Sequence, residues 1–563
     1  MSKLNTTVLP NRNKSKSLLA HIINKKFSIL LIVVIALIIR VFCLVYTIIW
    51  SKLINNYKFS NDILCSNVAG SKNEGNLLWK YIKCFSYWDG EYFLKLSLNK
   101  TEYVYEQNHA FFPTLPLIII FLSNILQNFV TNIDINACSI NTLLAIVVNN
   151  FFFILGTIGI YLFPIIYFYY NLKKTKEKLE NDENVLYKLN EHNNSYNSCY
   201  YLTHIKDEQE CNKFSFFLSI LYTFNIGNIH VSSFYNESIF SCFSIWGFNF
   251  LHLSLISYNK INFFFEILTV LCFFIACLFR SNGILFLIPL FFFNVHSCDF
   301  LKHCYKLFLY STVTEKKKKN LFRNIFSYFN CKKHIFFFIL HWLKALIEAL
   351  IIISPFLFFQ LYAYKLYCSN YSNIWKEQNK TFYNFSVNFI KQVFIYLNML
   401  DANVNDNWMS VNSIDVMNNI NKHTLVYRPW CKKRIPFIYN YIQHKYWDVF
   451  FLKNLIKPDF NILYSAPIYY IAFHSIVNFF KNNKYILFNP FIGSIVHLCV
   501  FTSYILLCAH NEIILRLIIS CPMFYLHYAY LLKYYEKWNY LFFVNLLFFF
   551  IGPPLFGTYI AWT

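Results

Sequence analysis

Long apolar runs separated by polar stretches dominate this chain. Eleven of the runs approach or exceed the roughly 20 residues that an α-helix needs to cross the apolar part of a bilayer. They lie at 27–50, 141–170, 214–230, 235–256, 262–280, 283–297, 335–365, 460–480, 486–508, 512–532 and 539–560. The pattern predicts an all-α polytopic membrane protein, a bundle of about 11 transmembrane helices.

One further apolar segment, 113–130, is short and contains two prolines near its start, so the pattern alone leaves its status open. If it spanned the membrane, the lysine-rich loops 171–213 and 298–334 would face the lumen, although lysine and arginine tend to stay on the cytosolic side. If it lies along the surface or re-enters, both loops are cytosolic. We therefore predict an interfacial 113–130, a cytosolic N-terminus and a lumenal C-terminus.

This assignment predicts the organisation of the whole chain. A cytosolic tail (1–26) precedes the first spans (27–170), which hold a lumenal loop (51–113) and the interfacial segment (113–130). A cytosolic basic loop (171–213), four spans with lumenal turns (214–297), a second cytosolic basic loop (298–334) and the C-terminal spans (335–563) with a lumenal loop (366–459) follow. The first run is too long for a signal-peptide core and lacks a clear cleavage site, so it predicts a signal anchor.

Composition agrees with a membrane protein, since 57% of the residues are hydrophobic and 21% are aromatic. The formal net charge of +22 would suggest nucleic acid in a soluble protein. Here the basic residues lie in loops between apolar runs, without a basic groove interleaved with aromatics. The charge therefore indicates positive-inside topology and contact with anionic lipid, and we expect no nucleic-acid partner.

The 17 cysteines are scattered without CxxC pairs, so neither a zinc site nor a disulfide framework is indicated. Four of them, Cys65, Cys84, Cys368 and Cys431, fall in loops that we assign to the lumen. A bridge among these four is compatible with the sequence, which does not say which pair forms.

The polar segment Tyr87-Trp88-Asp89-Gly90-Glu91-Tyr92-Phe93, just after the first long run, carries the candidate chemistry. Charge beside a bilayer is costly and marks function. A carboxylate there can take a proton from a hydroxyl, whereas the alternative is an interfacial loop with solvated acids. Trp88 could anchor the loop at the interface or stack on a sugar.

Two further polar breaks fall on the same predicted face. Asn108 heads a proline-containing stretch whose freed backbone groups would be tolerated in a cavity or at a bend. Asn236 and Glu237 join two closely spaced runs, where Glu237 could bind sugar hydroxyls and Asn236 could instead cap the next helix.

Arginines and aromatics complete the candidate site. Arg280, followed by Asn282, breaks two apolar runs, and its guanidinium suits a phosphate or could snorkel to the interface. Arg516 lies about one turn inside an apolar run, so it is expected to face a polar interior. Tyr446 and Trp447 in the long lumenal loop could form a sugar-binding surface or simply pack the loop.

Five ordered segments resemble the PIG-V family, the second mannosyltransferases of glycosylphosphatidylinositol (GPI) anchor synthesis, which are GT-C type glycosyltransferases. The segments are YWDGEYF with EQNHAFFPTLP, FNIGNIHVSSFYNESIF, RSNG, WCKKRIPFIYNYIQHKYWDVFFLKN followed by NILYSAPI, and HNEIILRLIISCPMFY. They extend from about residue 87 to residue 525. Two features depart from the family: Tyr92 stands where a histidine is frequent, and the loops 171–213 and 298–334 look like insertions.

The resemblance implies a GT-C-like bundle in the endoplasmic reticulum membrane with a lumenal active site. It implies transfer of the second mannose, in α1,6 linkage, from dolichol-phosphate-mannose to a mannosyl-glucosaminyl-phosphatidylinositol lipid. A β-linked donor and an α-linked product imply inversion with one base, for which Asp89 is the hypothesis and Glu91 the orienting neighbour. Arg280 and Arg516 are the candidates for the donor phosphate.

Several alternatives stay open at this point. The sequence does not decide whether Asp89 or Glu91 is the base. No cofactor beyond the lipid-linked donor is expected, but because these two acids are neighbours, the need for a divalent metal stays open. Membrane lipids are the expected partners, with a small membrane subunit as a further candidate. The runner-up functions are another GT-C enzyme using a lipid-linked sugar and a polytopic lipid transporter, but a transporter would place charges within spans along a path.

Overall fold

The structure of the protein, a computed structural model, describes residues 26–54, 65, 77–129, 136–181, 205, 207–256, 260–304, 332–368, 381–396, 428–458, 460–482 and 489–560. Within these ranges 84% of the residues are helical and no strand forms. The predicted all-α class is confirmed. Helices form along the apolar runs because, away from water, a helix satisfies its own backbone N–H and C=O groups.

The α-helices discussed below are numbered in chain order. They are α1 (Lys26–Leu53), α2 (Leu77–Ile82), α3 (Asp89–Leu98), α4 (Thr114–Phe129), α5 (Ala137–Asn181), α6 (Glu208–Thr223), α7 (Glu237–Ile256), α8 (Lys260–Phe279), α9 (Leu287–Ser297), α10 (Lys332–Tyr367), α11 (Phe382–Tyr396), α12 (Ile438–Tyr446), α13 (Lys453–Ile456), α14 (Ile462–Asn482), α15 (Ile492–Cys508), α16 (Ile513–Leu517), α17 (Pro522–Tyr534) and α18 (Asn539–Gly557).

Six helices of the described part are long and apolar enough to cross a membrane: α1, α5, α7, α8, α10 and α18 with the turn before it. The pair Ile513–Ser520 and Pro522–Tyr534, bent by 95°, would make a seventh if it counts as one span. A polytopic membrane protein is therefore confirmed. The count of eleven stays a prediction, because α6, α9, α14 and α15, which occupy the other predicted spans, are shorter or less apolar.

Two predicted spans end differently in the structure. The run 214–230 was expected to be one helix, but α6 stops at Thr223 and residues 224–236 form buried turns. The run 512–532 is broken at Cys521, and Pro522 starts α17 because proline lacks the N–H that would continue the preceding helix. Both corrections place irregular backbone inside the protein, where it can line a cavity.

Two other boundaries also move. The segment predicted as interfacial forms the 16-residue helix α4, short of the roughly 20 residues of a full span. Helix α5 continues to Asn181, beyond the predicted end at residue 170, because the lysines and glutamates there are good helix formers. Residues 182–204 and most of 298–334 lie outside the described residues, so the sidedness of these loops stays a prediction.

The buried turns at 224–236 are fixed by side chains from spanning helices. Arg40 of α1 donates from its two terminal nitrogens to the carbonyls of Asn228 and Thr223, each at 2.9 Å. Asn149 of α5 donates to the carbonyl of Ser233 at 2.6 Å. Buried backbone groups need such partners, and these bonds tie the irregular segment to α1 and α5.

Two disulfides tie polar segments to the bundle. Cys368 after α10 bridges Cys431, one of the pairs compatible with the sequence, and Cys65 bridges Cys138 at the start of α5. Cys138 was not among the expected partners because it lies next to an apolar run, and Cys84 keeps a free thiol. Disulfides are typical of proteins exposed to an oxidising compartment.

Candidate active site

The segment with the two predicted acids turns sharply into α3. The backbone of Trp88 has φ 57°, a strained value for a bulky residue, and Asp89 is the first residue of the helix. Acidic residues in a first turn are favoured by the helix dipole. Because successive helical residues are about 100° apart, Asp89 and Glu91 point to different sides of α3.

Asp89 is one of four charged residues that alternate in sign, here called the charge row. Its Oδ2 accepts a hydrogen bond from Nη1 of Arg516 at 2.6 Å, and Nε of Arg516 lies 3.6 Å from Oε1 of Glu237. Arg280 forms an ion pair with the same Glu237 oxygen. The Glu237 side chain is 1% exposed and that of Arg516 is 8% exposed, so these charges are stable only because each one is paired.

Four separate parts of the chain bring the charge row together. Asp89 and Glu237 are the first residues of α3 and α7, Arg280 follows the end of α8, and Arg516 lies in α16. The side-chain amide of Asn236 donates to the carbonyl of Phe279 at 2.8 Å and thereby ties the start of α7 to the end of α8. A turn and two helix ends therefore set the distances between the charges.

Tyr235 fixes the acid segment from the other side. Its hydroxyl accepts a hydrogen bond from the backbone N–H of Asp89 and donates one to the carbonyl of Tyr87, both at 3.2 Å. Burial raises the pKa of Tyr235 well above the usual value, and the negative charge of Asp89 raises it further. The hydroxyl consequently stays protonated and remains a donor.

A cavity of about 150 Å³ opens beside the charge row, which is room for about ten waters. It is lined by Asp89, Phe93, Ala110, Phe111, Phe112, Tyr235, Asn236, Glu237, Phe279, Arg280, Ser281, Asn282, Tyr439, Gln443, Trp447, Val449, Tyr504, Ile505, Ala509, His510, Ile513, Arg516 and Leu517. Its wall combines charged groups with aromatic and aliphatic side chains, the mixture expected for an amphipathic ligand.

A further part of the cavity wall is provided by α12 and the turn after it. Tyr439, Gln443 and Trp447 are spaced by four residues and all line the cavity. The hydroxyl of Ser281 donates to that of Tyr439 at 2.6 Å, which joins this wall to the segment that carries Arg280. Amide and indole groups on such a wall can meet the hydroxyls and the apolar face of a sugar.

Seven of the predicted site residues therefore line one cavity: Asp89, Asn236, Glu237, Arg280, Asn282, Trp447 and Arg516. Four do not. Trp88 stacks on Tyr559 at 4.7 Å between ring centroids, and Glu91 accepts a hydrogen bond from the Tyr559 hydroxyl at 2.8 Å. Asn108 is 3% exposed and lies outside the lining, while Tyr446 is 41% exposed.

Some lining residues were missed from the sequence. Tyr439 and Gln443 precede Trp447 at helical spacing, and this periodicity is the signal that could have found them. Tyr235 and His510 lie within two of the segments that resemble the family, in the same segments as the predicted site residues Asn236 and Arg516. Their hydroxyl and imidazole groups had no charge to draw attention to them.

Among the residues that the structure describes, no group of three or more His, Cys, Asp or Glu side chains is arranged to hold a metal ion. Asp89 and Glu237, the two acids of the cavity, instead contact guanidinium groups. The arrangement offers two carboxylates at the cavity wall, two arginines and several neutral hydrogen-bonding groups.

These features define a class, a polytopic membrane protein with a charge-lined cavity at one end of its helices. Comparison with known proteins narrows the class. The profile of the mannosyltransferase (PIG-V) family matches residues 29–201 and 183–562. The chain belongs to this family and is therefore a glycosyltransferase.

A similar protein is GPI mannosyltransferase 2 of Drosophila pseudoobscura pseudoobscura. The two chains are 24% identical over 535 residues, which cover 88% of this chain and 91% of the fly protein. The similarity thus extends over nearly the whole length of both chains.

Proposed function

We propose that the protein is a GPI mannosyltransferase that adds the second mannose, in α1,6 linkage, to a mannosyl-glucosaminyl-phosphatidylinositol lipid, with dolichol-phosphate-mannose as the donor. The observation that carries the proposal is Asp89 at the wall of a cavity that it shares with two arginines. Family membership supports the sugar, and the printed name of the fly relative supports the GPI pathway.

The chemistry assigns one role to Asp89. The 6-hydroxyl oxygen of the acceptor mannose attacks the anomeric carbon of the donor, and the proton of that hydroxyl passes to the Asp89 carboxylate. The bond from the anomeric carbon to the phosphate oxygen breaks, and dolichyl phosphate leaves with the electron pair. One attack from the face opposite the phosphate converts a β-linked donor into an α-linked product, so one base is enough.

The two arginines are assigned to the donor phosphate. A guanidinium presents paired N–H donors that match phosphate oxygens and stay charged. Both arginines already contact Glu237, so phosphate binding would require sharing of these donors. Arg280, whose side chain is 20% exposed, is the more accessible of the two.

Glu91 is assigned an orienting role, because its carboxylate accepts a hydrogen bond from Tyr559 and does not line the cavity. Asn282, Gln443 and Trp447 are assigned to the sugars, since they line the same cavity as Asp89. We also propose that the enzyme lies in the endoplasmic reticulum membrane and that its cavity is on the lumenal side. The two disulfides support that side, because the lumen is oxidising.

The test is mannose transfer in membranes of cells that lack the second GPI mannosyltransferase. Wild-type chain should convert the one-mannose GPI lipid to the two-mannose lipid with labelled dolichol-phosphate-mannose, and should restore GPI-anchored proteins at the cell surface. Asp89→Asn should lower transfer by about 10²- to 10⁴-fold, the usual contribution of general base catalysis. Glu91→Gln, the matched control, should retain more activity than Asp89→Asn.

Two results would count against the proposal. A well-expressed wild-type chain that transfers no mannose to this acceptor would refute the substrate assignment. Full activity of Asp89→Asn would remove Asp89 as the base.

A further inference from the structure

The segment after α18 returns to the acid segment through a distinctive helix end. The N–H of Ile560 bonds to the carbonyl of Leu555 at 2.9 Å, and the N–H of Tyr559 to that of Phe556 at 3.1 Å. This pair of bonds is the Schellman motif, which places one residue in the left-handed region, usually a glycine. Here that residue is Tyr559, with φ 62°.

A tyrosine in this position is costly. The left-handed conformation costs a residue with a Cβ roughly 1–2 kcal/mol, whereas glycine adopts it freely. Such strain persists only where the surroundings over-determine it, and an observed outlier is a reason to look for a function. What the Tyr559 side chain contacts is therefore informative.

Its side chain contacts three residues that flank Asp89. The ring stacks on that of Trp88 with 4.7 Å between centroids and 14° between planes, and it meets the ring of Tyr87 edge-on at 5.0 Å. The hydroxyl donates to Oε1 of Glu91 at 2.8 Å. One side chain thus holds the residues on both sides of Asp89.

The position that it holds is itself strained. Trp88 has φ 57° and ψ −122°, and this turn starts α3 at Asp89. An unfavourable backbone conformation relaxes unless contacts oppose the relaxation. The stacked ring and the bond to Glu91 provide contacts on either side of the turn, so the strain at Trp88 and at Tyr559 is maintained jointly.

Tyr559 is supported from behind by close packing of α18 on α1. A Cβ at Gly557 would lie 3.0 Å from both Cγ2 and the carbonyl oxygen of Thr47, so the two helices approach at this glycine. The helix end therefore has little freedom to move away from the acid segment.

We propose that Tyr559 is a positioning residue of the transfer reaction, which holds Trp88 and Glu91 so that the Asp89 carboxylate faces the cavity. The proposal rests on the function proposed above, in that Asp89 is the group that it positions. Burial raises the pKa of Tyr559, and the carboxylate of Glu91 raises it further. The Tyr559 hydroxyl thus remains a donor at physiological pH.

The experiment compares Tyr559→Phe, Tyr559→Gly and the control Tyr540→Phe, which changes an exposed tyrosine of the same helix. Tyr559→Phe keeps the stacked ring and loses the bond, so kcat should fall about tenfold, the equivalent of one hydrogen bond to a charged group. Tyr559→Gly loses both contacts, and kcat should fall about 100-fold, as expected for a catalytic group displaced by about 1 Å. KM for donor and acceptor should stay the same in both variants.

Tyr559→Gly also separates positioning from helix capping, because glycine is the preferred residue at this helix end. If Tyr559 served only as a cap, the glycine variant would match the wild type in kcat. Glu91→Ala and Tyr559→Phe should not be additive when combined, since both remove the same bond.

A second measurement does not depend on activity. Backbone amide hydrogen exchange at residues 87–93 should be faster in Tyr559→Gly than in the wild type and unchanged in Tyr540→Phe. Wild-type kcat together with wild-type exchange in Tyr559→Gly would overturn the inference. If the wild type transfers no mannose to the proposed acceptor, the proposed function fails. The positioning role of Tyr559 is then judged from hydrogen exchange alone. Faster exchange at 87–93 in Tyr559→Gly would support this role, and unchanged exchange would overturn it.

Discussion

Gly227 provides the sharpest structural test of how the charge row is held. It lies in the buried turns that follow α6, where the backbone passes directly over α16. A Cβ at this position would lie 2.7 Å from the carbonyl oxygen of Leu515 and 2.9 Å from Cα of Arg516. Both atoms belong to backbone and cannot rotate away, so Gly227→Ala must push the two segments apart.

The size of the effect follows from these distances. Non-bonded heavy atoms pack best at about 3.5–4.0 Å, so the alanine methyl requires a shift of roughly 0.5–1 Å. Overpacking of this kind costs about 1–3 kcal/mol. A shift of that size at Arg516 also moves the guanidinium that bonds to Asp89, and misplacing a catalytic group by about 1 Å can cost 10²-fold in rate.

The assay measures mannose transfer and thermal unfolding of the purified protein in the same detergent. Gly227→Ala should lower kcat by about 10- to 100-fold and reduce thermal stability. The matched control is Gly90→Ala, which lies between the two predicted acids. A Cβ there would meet no atom closer than 3.5 Å, an ordinary contact, and alanine favours the helix that Gly90 occupies.

The control makes the prediction counterintuitive, because the change at Gly90, beside Asp89, should be milder than the change at Gly227, which is 137 positions further along the chain. The reasoning is refuted if Gly227→Ala keeps both wild-type activity and wild-type stability. It is equally refuted if Gly90→Ala is the more damaging of the two in unfolding temperature.

Three further predictions follow from other contacts. Arg516→Lys replaces a planar guanidinium that reaches two carboxylates with a point charge, so kcat/KM should fall about 10- to 100-fold. The control Arg434→Lys, at an exposed position, should leave kcat/KM unchanged, and equal losses in the two variants would contradict the role of the ion pairs of Arg516. Cys431→Ala opens the bridge to Cys368 and should cost about 2–4 kcal/mol of stability. Reductant also opens the bridge between Cys65 and Cys138, so it should bring the wild type and this variant to the same unfolding temperature, and a persistent difference would contradict the prediction. Burial lowers the pKa of His109 to about 3, and the unfolded chain takes up this proton near pH 6.5. The contribution of neutral His109 to stability is therefore complete above pH 6.5 and is lost as the pH falls towards 3, at up to about 1.4 kcal/mol per pH unit. In urea unfolding, the free energy of unfolding of His109→Gln should fall less steeply with decreasing pH than that of the wild type. An identical dependence on pH would contradict the prediction.

Much of the candidate site could be predicted from local sequence because charge near a membrane is rare and costly. Asp89, Glu237, Arg280 and Arg516 were selected for this reason, and the structure brings all four into one row. Neutral residues carried no such signal. The wall formed by α12 could have been found only from its four-residue spacing, which is weak in a nine-residue helix.

Other aspects depended on packing that the local pattern does not contain. Asp89 and Glu91 are equivalent in the sequence, and only the direction of each side chain from α3 separates them. Trp88 could have met a sugar, but its ring is covered by Tyr559, a residue 471 positions away. Contacts across such separations require the folded chain.

The amino-acid sequence by itself determined the membrane class, the helical architecture and which charged residues were candidates for the site, because the cost of burying polar groups acts locally. The tertiary structure decided where helices stop and which polar groups meet. Where α6 ends, Arg40 donates a hydrogen bond to the carbonyl of Thr223, and the apolar run 512–532 bends by 95° where Pro522 starts a new helix. The physical reason is that a charge or a carbonyl accepts whichever partner the fold brings within about 3 Å, and that partner comes from elsewhere in the chain.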